Sequence, residues 1–255
     1  MKKKLFIIAV MSFTLIFTST FSAYAGYVST VKSFKYGSIT IPSYDGDSYE
    51  KVHKNDPRFT KAQKKKGKKT FEKYSKLDSK GRARVAFASL NKSLMPKYKR
   101  GSISEIKPTG WVQANYSIVS GGWLYNRCHL IGFQLTGVDC DHRPKVAQKD
   151  LITGTRYLNV GNGSTGMVKY ENKVAKYLKK YPKRHVLYRV TPVYKYKTDK
   201  VARGVLMEGE SVEDNKINFC VFCYNVQPGV AIDYKTGKSK LVGKTAVKKK
   251  TKTVK

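Results

Sequence analysis

The stretch WLYNRCHLIGFQL, residues 123–135, sets an Arg-x-His pair between two apolar runs. The chain holds four histidines against 51 lysines and arginines, so a histidine in this setting is informative. Arginine and histidine are poor core material. The segment therefore reads as a strand, a polar interruption and a second buried stretch. Its centre, Asn126-Arg127-Cys128-His129, is either a hydrogen-bonded polar kink or a site. Two positions apart on extended backbone, Arg127 and His129 point to the same side.

Downstream, MVKYENKVAKYLKKYP (residues 167–182) places Met167, Tyr170, Val174, Tyr177, Leu178 and Tyr181 on one face at three- and four-residue steps, which predicts an amphipathic helix. Pro182 ends it, and Lys176, Lys179 and Lys180 lie where the helix dipole favours cations. HVLYRVTPVYK (185–195), VARGVLMEGESVE (201–213) and NFCVFCYNVQPGVAIDY (218–234) then alternate as three strands of an antiparallel meander. Upstream, GRARVAFASL (81–90) is strand-like, and a further strand is expected near Val112 to Val119 after a Pro/Gly-punctuated link. The expected class is α+β: a single domain over 74–237 with an antiparallel sheet. Residues 26–73, ending in KAQKKKGKKTFEK, read as a loosely held basic arm, and 238–255 as a disordered basic tail.

The first 25 residues carry three lysines, an apolar run from Leu5 to about Phe17 and Ala23-Tyr24-Ala25, the pattern of a secretory signal peptide cleaved after Ala25. Serine, threonine and small residues break the run before it reaches a membrane span. Formal net charge is +34 at pH 7, and removing the leader's three lysines leaves +31. Self-repulsion of this size opposes compaction and points to a polyanionic partner, with nucleic acid first and anionic wall polymer or membrane surface behind it. An aromatic content of 12% excludes a disordered basic tail as the whole protein. The four cysteines, Cys128, Cys140, Cys220 and Cys223, allow three connectivities in an exported chain. Cys220 and Cys223 stand three apart on a predicted strand, so they face opposite sides and do not bond each other. Cys128 and Cys140 lack zinc-site spacing.

Beside a polyanion, an arginine can clamp a phosphate and a histidine can take a proton from water. Phosphodiester hydrolysis also calls for a cation, and Mg²⁺ needs only one or two protein oxygens. LITGTRYLNVGNGSTGMVKYE (151–171) supplies Arg156, Asn159 and Glu171. Asp139-Cys140-Asp141-His142 reads as a loop rather than a second metal cluster, and His53 and His185 have no supporting context.

Four motifs in order, NRCHLIGFQLTG (126–137), DLITGTRYLNV (150–160), GMVKYEN (166–172) and CYNVQPGVAIDYKTG (223–237), resemble the secreted DNA/RNA non-specific endonucleases, a ββα-metal family. The resemblance covers residues 74 to 237. It implies His129 as general base, Asn159 as metal ligand, Glu171 as holder of the metal's water shell and Arg156 as a phosphate contact, while Arg127, the phosphate clamp by its chemistry, falls on the arginine of the family's signature. It also implies Mg²⁺ as cofactor with Mn²⁺ as substitute, DNA and RNA as substrates and 5′-phosphate products. The leader points to a secreted, extracellular protein, and retention at the cell surface by the basic segments is left open. Three positions depart from the family's pattern. Asn126 and Cys128 stand where an aspartate and a glycine are usual, and the insertion-like GNGST makes Asn162 a rival to Asn159. The competing expectation is a secreted protein that coats nucleic acid or wall polymer without cutting it. Oligomeric state is left open.

Overall fold

The structure, a computed structural model, describes residues 31–242. The leader at 1–25 and residues 243–255 of the tail lie outside them. The described chain enters through a short hairpin of β1 (Phe34–Tyr36) and β2 (Ile39–Ile41). Six strands then build one antiparallel sheet. In spatial order they are β3 (Tyr49–Lys51), β10 (Asn218–Tyr224), β9 (Gly204–Ser211), β8 (Val186–Val193), β5 (Ala86–Leu90) and β4 (Phe71–Tyr74). Strands β8, β9 and β10 are the meander expected from the alternating runs.

Both faces of this sheet are covered. On β10, Phe219, Val221 and Cys223 enter the larger core with Val205 and Met207, while Cys220, Phe222 and Tyr224 enter a second core with Ile39, Ile41 and Leu206. The two cysteines therefore lie on opposite faces, and all four cysteines are free thiols. Helix α5 (Met167–Lys180) closes the larger core with Met167, Tyr170, Val174, Tyr177 and Leu178. Each such apolar side chain contributes roughly 1.5–3 kcal/mol through burial. That stripe is why the helix sits where it does.

The basic stretch before residue 74 is no loose arm over its described part. Ile39, Ile41, Val52 and Phe59 are buried, β3 pairs with β10, and β4 forms the opposite edge of the sheet. Helix α1 (Lys61–Lys66) is fixed by a capping box between Thr60 and Gln63. The lysines point to solvent and the sparse apolar residues do the anchoring. At the other end, β11 (Val230–Ile232) pairs with β12 (Ser239–Leu241), so the first residues assigned to the basic tail are ordered.

Residues 112–119 do not form the expected strand. Val112 and Ile118 are exposed, and the segment's one ladder contact is an isolated bridge from Asn115 to Trp123. Gln113 completes the neighbouring strand with its side chain. Its Nε2 donates to the Tyr125 carbonyl at 2.7 Å, and its Oε1 accepts from the Tyr125 N–H at 2.9 Å.

Candidate active site

The Asn126-Arg127-Cys128-His129 quartet lies within β6 (Tyr125–His129), paired antiparallel with β7 (Leu151–Thr155) so that Arg127 lies opposite Thr153 and His129 opposite Leu151. The polar residues are thus part of the strand and do not interrupt it. A short helix, α2 (Phe133–Thr136), follows β6, and α3 (Pro144–Asp150) leads into β7. From β7 the chain turns directly into α4 (Arg156–Val160), capped by the Thr155 hydroxyl, which accepts from the Leu158 N–H. Arg156 and Asn159, three apart, share one face of α4. Helix α5 adds Glu171, four residues after Met167 and three before Val174, and so within the buried stripe rather than on the lysine-rich surface.

These elements enclose a cleft of about 620 Å³. Arg127, His129, Arg156, Asn159 and Glu171, the five residues singled out from sequence, all line it, as does Asn126. Asn162 does not; it lines a separate cleft with Tyr49 and Lys169.

His129 is 9% exposed, and its Nε2 lies 2.8 Å from the Val138 carbonyl oxygen. A carbonyl can only accept, so Nε2 carries the proton and Nδ1 keeps the lone pair. Burial, reinforced by the nearby Arg100 charge, lowers its pKa to about 4 against the opposing pull of the Val138 carbonyl and Asp139. The ring is neutral at neutral pH and able to accept a proton.

Asn126 organises two of its neighbours. Its Oδ1 accepts from Asn159 Nδ2 at 3.2 Å and from Arg156 Nη1 at 3.4 Å. With its amide nitrogen so engaged, Asn159 has its oxygen available to a cation. Arg156 Nε is buried without a partner among the described residues. Arg127 is less free than the sequence suggested. Its Nε and Nη2 donate to the carbonyls of Ile106 (2.5 Å) and Ser104 (2.7 Å), and its guanidinium lies over Trp111 at 4.3 Å. A two-pronged grip on phosphate through these atoms would first have to release them.

Glu171 is 8% exposed, and burial raises its pKa to about 7 against the lowering contact from Gln134. Its carboxylate lies tight against Gly132, where a Cβ would come within 2.5 Å of Oε2. The Asn159 amide oxygen and the Glu171 carboxylate, for which Gly132 makes room, offer oxygen donors to the same cleft. Such donors suit a hard cation that keeps most of its waters.

Cys128, in the usual glycine position, points into the core on extended backbone. Gly154 across the strand pair makes room for it, since a Cβ there would meet its Sγ at 2.4 Å. Asp139 to His142 form a loop. Against the upward push of burial, the N–H groups of Gly101 and His142 and the His142 ring hold the Asp139 carboxyl below its usual range. His53 and His185 make local contacts with the Asp56 carbonyl and Glu213. Sequence reasoning missed Val138, Gly132, Gln113 and Trp111, because each acts through a contact made only on folding, and Trp123, which the fold brings to the cleft wall.

A strand pair running into helices, with histidine, asparagine and glutamate around one basic cleft, is the ββα arrangement expected from the motifs. The family model described as DNA/RNA non-specific endonuclease matches residues 60–213, and the chain belongs to that family. A deoxyribonuclease of Streptococcus dysgalactiae subsp. equisimilis is 34% identical over 114 residues, 45% of this chain and 32% of that protein. The chain thus spans about a third of the length of that curated relative. The crystal structure of NucA from Streptococcus agalactiae with magnesium ion bound has a similar fold, with a TM-score of 0.66 at 24% identity over 80% of this chain and 91% of that one. The Sda1 nuclease with bound zinc ion matches with a TM-score of 0.62 at 25% identity, over 78% of this chain and 97% of that one.

Proposed function

We propose that the protein is an exported, Mg²⁺-dependent endonuclease that cuts DNA, and RNA as well, without sequence preference. The observation that carries this reading is His129, buried, neutral and held in one tautomer by Val138, on the same cleft as Asn159 and Glu171. A protein that only coats polyanions has no use for a desolvated base.

In this reading His129 Nδ1 takes a proton from a water as that water attacks phosphorus in line. Nε2–H stays on the Val138 carbonyl and fixes the ring's orientation. Asn126 holds Asn159 and Arg156 in register, and Arg156 meets a phosphate oxygen. Mg²⁺ bound by the Asn159 oxygen, and through water by Glu171, would offset the charge gathering on the phosphate and on the departing 3′-oxygen. The 3′-oxygen leaves and is protonated from solvent, which gives 5′-phosphate ends. The surplus of lysine supplies attraction to the backbone irrespective of sequence.

Export rests on the signal-like leader, and no described helix is long and apolar enough to cross a membrane. The test is plasmid incubated with purified mature protein, in Mg²⁺ and in EDTA. Relaxation and fragmentation in Mg²⁺ alone are expected. Plasmid left intact under every divalent metal, although bound, would replace the enzyme with the binder.

A further inference from the structure

Seven large hydrophobic residues are more than a third exposed among the described residues, and three of them are aromatic: Tyr98, Trp123 and Tyr196. Tyr98 stacks on His142 with ring centroids 3.8 Å apart, and Tyr196 has Lys195 and Arg203 over its ring. Trp123 differs from both. It is 55% exposed, and among the described residues no ring or cation covers its indole. Of the three it is also the one that lines the cleft of His129, Arg156 and Asn159.

Its backbone is nonetheless fixed. Gly121 and Gly122, both at positive φ, turn the chain so that Trp123 bridges Asn115. A side chain at Gly122 would approach the Asn115 amide to 2.8 Å. The next two residues, Leu124 and Tyr125, are fully buried. The second tryptophan of the cleft, Trp111, already has Arg127 over its ring.

We propose that Trp123 is a base-stacking platform, its indole taking the face of an unstacked nucleobase next to the phosphate held in the cleft. The inference rests on the nuclease reading and adds a substrate class to it: single-stranded or locally opened nucleic acid. In a duplex both faces of a base are covered by its neighbours, so a free indole face gains most from a base outside a helix. Arg100 and Arg156 in the same cleft supply the charge that brings the backbone alongside. Stacking tolerates every base, in keeping with a site that reads no sequence.

The experiment uses the full mature chain in EDTA, which separates binding from cutting. The probes are a labelled short oligothymidylate and the same strand carrying only abasic sites. Wild type should bind the base-bearing strand more tightly than the abasic one. Trp123→Ala should weaken the base-bearing strand by roughly 5- to 100-fold and leave the abasic strand unchanged, while Trp123→Phe restores most of the difference. Trp123→Ala binding both strands as wild type does, or losing both equally, would overturn the platform; thermal melts identify an equal loss that comes from misfolding, and Trp123→Phe then decides. Wild type with the base preference that never cuts in Mg²⁺ would sink the nuclease reading and leave the platform standing. Cutting by a wild type that binds abasic and base-bearing strands alike would do the reverse.

Discussion

Asn126 Oδ1 accepts the Asn159 amide N–H at 3.2 Å, and this one contact decides which end of the Asn159 amide faces the cleft. With the nitrogen tied to β6, the oxygen is left for a cation. Asn126→Ala should let the amide rotate and lower the rate at limiting Mg²⁺ by about tenfold, the worth of roughly 1.4 kcal/mol in a charge-assisted contact. Asn126→Asp keeps an acceptor at the same place and should retain most activity. The measurement is rate against Mg²⁺ concentration, and an Asn126→Ala curve overlaying wild type would remove the positioning role.

The two asparagines on either side of Gly161 separate in the same assay. Asn159 lines the active cleft and Asn162 a different one. Asn159→Ala should lose cleavage by two orders of magnitude or more, as expected when the oxygen holding a catalytic cation is removed, and Asn162→Ala should stay close to wild type. The opposite ranking would move the ligand to Asn162.

Burial lifts Glu171 to about 7 from an ordinary 4.5. Because the folded state favours the protonated carboxyl, metal-free stability is full below about pH 4.5 and declines as pH rises through about 7. Glu171→Gln keeps the shape without the charge, so without metal it should be more stable than wild type at pH 8, by at most about 3 kcal/mol. Mg²⁺ should raise the wild-type melting temperature more at pH 8 than at pH 6 and do little for Glu171→Gln. Equal Mg²⁺ responses in the two proteins would place the cation elsewhere.

The lysine runs divide into two kinds. Residues 61–66 form a capped helix, and Lys64 pairs with Glu210, so removing them would damage the fold. The stretch 244–255 carries six lysines and lies beyond the described residues. Deleting it should weaken DNA binding and lower the salt slope, by up to about 0.9 for each phosphate the tail neutralises, with turnover at saturating DNA unchanged. A deletion that abolished turnover under those conditions would make the tail part of the site.

Much of the fold was legible in the chain because long elements carry a pattern. The 3.6-residue stripe of α5 is set by its buried positions alone, and β8, β9 and β10, buried on both faces, stand out as long runs of mainly apolar residues amid the lysine. Strands β1 to β4, at three or four residues each, are too short to show a period, and the flanking lysines made them read as an arm. Val112 and Val119 misled because β-branched residues favour strands, whereas the backbone here closes turns, the Val119 N–H donating to the Tyr116 carbonyl and the Gly122 N–H to that of Val119. At the site, residue identity and order were enough to gather His129, Asn159 and Glu171. The partners that give them their chemistry were not readable: Val138 acts through its carbonyl and Gly132 through the absence of a side chain, and neither leaves a mark in sequence.

His129 separates enzyme from binder. Losing a general base costs about 10²–10⁴ in rate. A neutral imidazole adds little affinity in a protein of net charge +34. His129→Ala should therefore bind DNA with wild-type strength and salt dependence in EDTA, yet barely relax plasmid in Mg²⁺. The change also opens a cavity and strands the Val138 carbonyl, so stability should fall, and melting must confirm that the variant is folded at the assay temperature. Added imidazole should recover part of the rate by entering the vacated space, and across substituted imidazoles the recovered rate should follow their basicity, a dependence that refilling the cavity alone would not give. The folded pKa of about 4 also means that wild type loses His129's contribution to stability as pH falls from about 6.5 to about 4, a dependence His129→Ala should lack. Folded His129→Ala that cuts as fast as wild type would keep the nuclease and move the base to another residue of the cleft.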